Sequence, residues 1–192
     1  WPQDLAFNWQ KSFADGLGNA QQAAGIHLIG GDTVATPGPL TLNITAMGFI
    51  EAGKVTRRTG AQPGDHLFVS GTIGDAALGL RLLTGQLEKH MSQYYRDMLI
   101  QRYREPTPRN ALGEAILNVA SAAVDLSDGL AADVGHIADQ SNVHIVIDVQ
   151  SIPVSDAARV ANACDPANRM MIITSGDDYE LAFTVAEDNL AG

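Results

Sequence analysis

The chain has 192 residues, 45% hydrophobic and 18% charged, a balance that fits a packed globular protein and excludes an intrinsically disordered one. Its 22 acidic and 12 basic residues give a formal net charge of −10, which argues against a generic nucleic-acid or anionic-membrane binder. A protein this acidic needs local cations to bind phosphates, and divalent metals held by aspartates are one way to supply them. The single cysteine, Cys164, cannot form an intrachain disulfide and reads as a small buried or half-buried residue. Five scattered histidines form no zinc-binding pattern. No apolar run is long enough to span a bilayer and no secretory signal is visible, so a soluble cytoplasmic protein is expected.

In chain order, residues 4–24 space Leu5, Phe7, Trp9, Phe13 and Leu17 mostly at helical intervals. The run IHLIGG (26–31) reads as a short buried strand ending in a glycine pair. Residues 38–53 set Leu40, Leu42, Ile44 and Ala46 against Thr41, Asn43 and Thr45, the alternation of a strand with two distinct faces. The turn-rich joint RRTGAQPGD (57–65) marks a domain boundary. HLFVSG (66–71) is a further strand. Asp75 is placed to cap a helix that Gly85 closes.

Residues 92–103 read as a helix. PTPR (106–109) stops it and launches another, with Leu112, Ile116 and Val119 on one face. AAVD (122–125) is a short strand, and Leu130, Val134 and Ile137 fall on one helical stripe. Residues 143–149 alternate again, with Asp148 facing solvent. MMIITSG (170–176) and YELAFTV (179–185) read as two strands joined by a tight Ser-Gly-Asp-Asp turn. Interleaved strands and helices make this an α/β or α+β protein.

Three stretches share one pattern, an apolar strand ending in glycine or serine with aspartate: LIGGDTV with Asp32, VDLSDGL with Asp125 and Asp128, and TSGDDYEL with Asp177 and Asp178. Ligands bind at strand ends in such sheets, and glycine lets a backbone approach a phosphate closely. Aspartate oxygens suit Mg²⁺, which takes one or two protein carboxylates plus substrate phosphates. Each motif is weak by itself and has an ordinary reading. Asp128 could be a helix N-cap, Gly30-Gly31-Asp32-Thr33 a turn, and Asp177-Asp178 a hairpin corner. Arg57 and Arg58, among few cations, are either nucleotide contacts or solvated side chains. There is no Walker A lysine loop, protein-kinase signature or nucleophile elbow.

Taken together and in order, LIGGDT, RRTGAQPGDHLFVSGTIGDAALGL, PTPR, DLSDGLAADVGHI and SGDDYELAFT closely resemble the thiamine-monophosphate kinase family of the aminoimidazole ribonucleotide synthetase-like superfamily. The resemblance covers nearly the whole chain and implies that superfamily's two-domain fold. It implies a Mg²⁺-dependent transfer of the γ-phosphoryl group of ATP to the phosphate of thiamine monophosphate, giving thiamine diphosphate. It implies ATP contacts from Gly31, Asp32, Arg58 and Ser127, and Mg²⁺ ligation by Asp32, Asp125 and Asp128. Asp177 falls where the family has an acidic substrate contact, most often the longer glutamate. A phosphate acceptor is already ionised near neutral pH, so no strong general base is required, and His136 and His144 read as ordinary residues.

The expected organisation is the end of an ATP-binding α+β domain over 1–55 and most of an α/β domain over 56–192. The start at Trp1 and the helix-like AEDNLAG at the end make a fragment lacking both ends the expectation, and with it little activity from this chain alone. Family resemblance alone implies a homodimer. The rivals are a related ATP-using synthetase, of the selenophosphate or purine pathway, and a non-catalytic module that binds Mg²⁺ or nucleotide.

Overall fold

In the computed structural model, residues 2, 5–87, 91–164 and 168–190 are described, and the chain divides into two units, Trp1–Ile50 and Glu51–Gly192. The side chain of Cys164, whose burial the sequence addresses, lies outside the described residues.

In the first unit the helical spacing over 4–24 produces α1 (Phe7–Ala24). Its half-buried positions, Gln10, Phe13, Leu17, Gln21 and Ala24, recur every three or four residues, the stripe of an amphipathic helix. Trp9 and Phe13 stack along it, ring centroids 5.5 Å apart. The strands expected at 26–31 and 38–53 do not form among the described residues. Alternation decides which side chains share a face, but a strand exists only where its N–H and C=O groups meet a neighbouring strand. Here the segments run irregularly, with Leu28, Ile29, Ile44 and Met47 exposed.

The second unit is built on a three-stranded antiparallel sheet in the order β1-β3-β2, from β1 (His66–Val69), β2 (Ala120–Leu126) and β3 (Glu180–Val185). Register places Leu67 opposite Thr184 and Val69 opposite Ala182, with Ala122, Val124 and Leu126 completing the same face from β2. That face meets the helices: α2 (Asp75–Leu83), α3 (Gln93–Arg104), α5 (Leu130–Ser141), α6 (Asp156–Cys164) and α7 (Asn168–Thr174), with the short α4 (Asn110–Ala115) between α3 and β2. Ile73, Leu78, Leu99, Leu126, Leu130, Ile137 and Ile172 are fully or almost fully buried between the layers. The other face carries Phe68 stacked on Phe183 at 5.7 Å, and Asp125.

Three local expectations are corrected. Residues 143–149 keep their alternation, with Val143, Ile145 and Ile147 packed on the core and Val146 and Asp148 exposed, but among the described residues they pair with no strand. Residues 170–176 are mostly helical, because the run lies in α7; a short apolar run does not distinguish a buried strand from a buried helix. Finally, Gly74 is the N-cap of α2. Asp75 is the first helical residue, 1% exposed, and accepts hydrogen bonds from the Thr72 and Ser155 hydroxyls, both at 2.5 Å. Gly85 sits one residue past the Thr84 cap, with φ +71°.

Candidate functional site

The DLSDGL turn forms where β2 ends and α5 begins. Because side chains alternate along a strand, Asp125 points away from the helices while Leu126 points into the core. Asp125 and Asp128 are both exposed, and Ser127 between them is half-buried. Arg58 approaches Asp125 at 3.7 Å, with both side chains about half exposed. The adjoining backbone is tied to the same strand, since the Ala123 N–H donates to the Arg57 carbonyl at 2.8 Å.

Asp128 does not cap the helix. The N-cap is Gly129, with no side-chain hydrogen bond. The capping carboxylate comes from inside the first turn of α5, where Asp133, 2% exposed, accepts from the N–H groups of Asp128 at 2.9 Å and Gly129 at 3.1 Å through one oxygen. A carboxylate suits that place, since the helix dipole and unpaired N–H groups both favour negative charge there. The consequence is that Asp128 keeps its own carboxylate exposed while its backbone is fixed.

The SGDDYEL stretch lies against this turn. It joins α7 to β3, and so is not the hairpin corner that the sequence also allows. The Asp177 N–H donates to the Ser127 carbonyl and the Tyr179 N–H to the Leu126 carbonyl, both at 2.9 Å. A Cβ on Gly176 would collide with the Ser127 carbonyl, so glycine is what allows the two loops to touch. Asp177 and Tyr179 adopt left-handed conformations, φ +71° and +50°, each costing about 1 kcal/mol or more for a non-glycine residue. Asp177 is half-buried beside the turn.

Beneath these loops lie two buried acids. Asp178, 3% exposed, accepts from the N–H groups of Gly74 at 2.6 Å and Ala76 at 3.3 Å, at the start of α2. Burial, helped by the charge of Asp75, pushes its carboxyl up to about 6, against the opposing pull of the two N–H groups and Arg102. Glu180, 0% exposed, receives both ends of Arg109, at 2.6 and 2.5 Å, with Arg102 at 2.7 Å and the Ser70 hydroxyl at 2.5 Å. Burial works against its charge, but the hydrogen bonds from Arg109 and Ser70 and the two arginine charges outweigh it and hold the carboxyl below its usual value.

Asp32 and Gly31 belong to the first unit. There they line an open groove of about 880 Å³ with residues 41–45 and the Phe13 and Leu17 side chains of α1. Asp32 is exposed and accepts from the N–H of Thr33 at 2.7 Å. Within the second unit, the structure therefore brings Arg58, Asp125, Ser127, Asp128 and Asp177 into one strand-end locale. Among the described residues, no group of three or more His, Cys, Asp or Glu side chains is assembled as a metal cage. The donor set suits Mg²⁺ nonetheless, because that ion is commonly held by one or two carboxylates, with water and phosphate completing its shell. Asp125 and Asp128 offer hard, exposed oxygens of that kind.

Asp133, Glu180, Arg102 and Arg109 were not singled out by sequence reasoning, and Asp178, named there as a strand-end ligand candidate or hairpin corner, is instead a buried acid hydrogen-bonded at the start of α2. A signal existed for two of the four missed. Asp133 is an acid in the first turn of a helix, and Glu180 shares strand parity with Ala182 and Thr184, so it had to face inward.

Two family models match the chain: AIR synthase related protein, N-terminal domain, over residues 2–50, and AIR synthase related protein, C-terminal domain, over residues 62–191. The chain belongs to the AIR synthase related proteins, and it has that family's mixed helix-and-sheet fold. Within the family it is similar to thiamine-monophosphate kinase of Salmonella typhimurium, 42% identical over 183 residues, which cover 94% of this chain and 54% of the relative. It is also similar in structure to thiamine-monophosphate kinase from Stenotrophomonas maltophilia K279a, at TM-score 0.89 and 42% identity, over 99% of this chain and 60% of that one. A third similarity is to AaThiL complexed with AMPPCP and TMP, at TM-score 0.81 and 28% identity, over 98% of this chain and 60% of that one. The chain spans about half the length of the curated relatives it matches. No helix among the described residues is long and apolar enough to cross a membrane.

Proposed function

We propose that the protein to which this chain belongs is a thiamine-monophosphate kinase, a Mg²⁺-dependent cytoplasmic homodimer that makes thiamine diphosphate from thiamine monophosphate and ATP. The observation that carries this reading is the clamp between DLSDGL and SGDDYEL, in which Ser127 and Leu126 accept from Asp177 and Tyr179. It sets two exposed aspartates beside a third acid at a strand end, on a chain 42% identical to a thiamine-monophosphate kinase.

The chemistry asks for positioning and charge neutralisation more than for acid–base catalysis. The bond between the γ-phosphorus and its bridging oxygen breaks, and an oxygen of the acceptor phosphate bonds to the same phosphorus. Asp125 and Asp128 would hold Mg²⁺, which when bound neutralises phosphate charge between donor and acceptor. Arg58, only weakly paired with Asp125 at 3.7 Å, is free to turn its guanidinium to a phosphate. Ser127 would hydrogen-bond the nucleotide. Gly31 and Asp32 would contact ATP from the groove of the first unit, with Asp32 also near Mg²⁺. Asp177 would meet the thiamine portion, one methylene shorter than the more common glutamate.

The deciding experiment uses the polypeptide at the full length of its curated relatives, with ADP and thiamine diphosphate as readouts. Turnover with ATP and thiamine monophosphate is expected, with Asp125→Asn or Asp128→Asn folded but losing most of it. Turnover only with selenide or a purine-pathway acceptor would move the protein to the related synthetases. Full activity in both variants would refute the metal-ligand assignment.

A further inference from the structure

We infer that the cleft between α6 and α7 is a second binding site, for a small amphipathic anion with an apolar body and one N–H donor. The cleft measures about 400 Å³, toward the small end of the range for small-molecule sites. None of the residues that line it belongs to the strand-end locale of Asp125, Asp128 and Asp177. Its wall is apolar, formed by Ile152, Val154 and Ile172. Two cations, Arg159 from α6 and Arg169 from α7, stand at the same cleft, in a protein with only 12 basic residues.

The third element is Asn162. Its Oδ1 is buried and has no hydrogen-bond partner among the described residues, and Asn162 is one of the residues that line the cleft. An unsatisfied buried acceptor costs about 1–3 kcal/mol, a cost that a donor entering the cleft removes. The arginines remain available. Arg159 donates to the Val154 carbonyl at 3.2 Å and nears Asp156 at 3.6 Å, but the Arg159 and Asp156 side chains are 67% and 82% exposed, so this ion pair is weak. Asp148, the acid in the field of Arg169, already has its oxygens engaged by the Gln150 N–H at 2.9 Å and the Ser151 hydroxyl at 2.8 Å. Apolar wall, orphan acceptor and the two arginines at the cleft together specify the ligand class: a flat or branched apolar group, a ring or amide N–H, and a carboxylate, sulfonate or phosphate.

Indole-3-acetate carries all three features and serves as the probe. Titration of the isotope-labelled polypeptide at the full length of its curated relatives, followed by NMR, is expected to give saturable shifts at the Asn162 side-chain amide and the Ile172 and Ile173 methyls. Loss of the charge in 3-methylindole, or of the donor in 1-methylindole-3-acetate, is expected to weaken binding by about tenfold each. The exposed-side-chain double variant Arg159→Gln/Arg169→Gln should lose a similar factor while its β-sheet amide shifts stay unchanged. No saturable shift at these positions, equal binding of the three compounds, or binding that survives the double substitution would each overturn the assignment.

Discussion

Asp133 fixes Asp128 through its backbone: the buried Oδ2 of Asp133 accepts from the Asp128 N–H at 2.9 Å and from the Gly129 N–H at 3.1 Å. The Asp128 side chain is thereby left exposed, held at the right place but not consumed by the fold. Asp133→Ala removes the acceptor and strands two N–H groups, at a cost of about 2–4 kcal/mol. Asp133→Asn keeps an acceptor oxygen and should lose less than half of that. Urea denaturation of both variants measures the difference. Mg²⁺ titration should show weaker binding in the alanine variant even under conditions where it is fully folded. Equal stability in the two variants would mean that the carboxylate does not hold the turn.

Gly176 is the contact point of the two loops. A methyl group there meets the carbonyl of Ser127 and the Cα of Asp128. Neither is a flexible side chain, so the loops must separate, and the Asp177-to-Ser127 hydrogen bond at 2.9 Å lengthens or breaks. Gly176→Ala is expected to cost about 1–3 kcal/mol, in the range for overpacked positions. In the polypeptide at the full length of its relatives it should lower the proposed kinase turnover more than Gly113→Ala, where a Cβ meets nothing within 4 Å. The comparison separates loop geometry from a general effect of adding a methyl group.

The order of motifs made the family and the strand-end location of Asp125 and Asp128 legible, because strand alternation and glycine placement are local properties. What was not legible depended on partners distant in the chain. Asp133 looks like any first-turn acid until its two N–H donors are seen. Glu180 needs Ser70, Arg102 and Arg109, which are 110, 78 and 71 residues away. Residues 170–174 satisfy a strand pattern as well as a helical one, and in the helix that forms Ile172 is buried, close against Gly74. The alternation at 38–46 suggests a two-faced strand, yet among the described residues no neighbour pairs with it, and Leu40, Leu42 and Ile44 stay exposed.

Glu180 is the central anion of a buried network, and removal of its charge leaves Arg102 and Arg109 facing one another with side chains 16% and 30% exposed. Glu180→Gln is expected to destabilise by about 3–5 kcal/mol, the usual result of breaking one partner of a buried pair. The sign of the pH dependence follows from its lowered carboxyl. Its stabilising contribution is present above the ordinary value of 4.5 and is lost as pH falls through the lower folded value. Wild type and Glu180→Gln should therefore converge in denaturation midpoint as pH is taken down through 4.5 and below. A gap that stays constant from pH 7 to pH 3 would show that packing, not charge, is what the glutamate contributes.

Asp178 has the opposite sign. Its carboxyl is raised from 3.8 to about 6 because burial penalises the charge more than the N–H groups of Gly74 and Ala76 reward it. A raised carboxyl contributes stability that is fully present below the unfolded value and is lost as pH rises through the folded one. Between pH 4 and pH 7 the wild type should thus lose about 3 kcal/mol that Asp178→Asn does not lose. The variant keeps an acceptor for the Gly74 N–H but gives up one charge-assisted bond, so it starts from a constant offset. The informative quantity is the change of the difference with pH. Urea midpoints measured at pH 4, 5, 6, 7 and 8 should show the variant gaining on the wild type, most steeply near pH 5, between the unfolded 3.8 and the folded value of about 6, and levelling off above pH 6. Parallel curves would place the titration of Asp178 outside this range and make the hydrogen bonds at the start of α2, not burial, the controlling force.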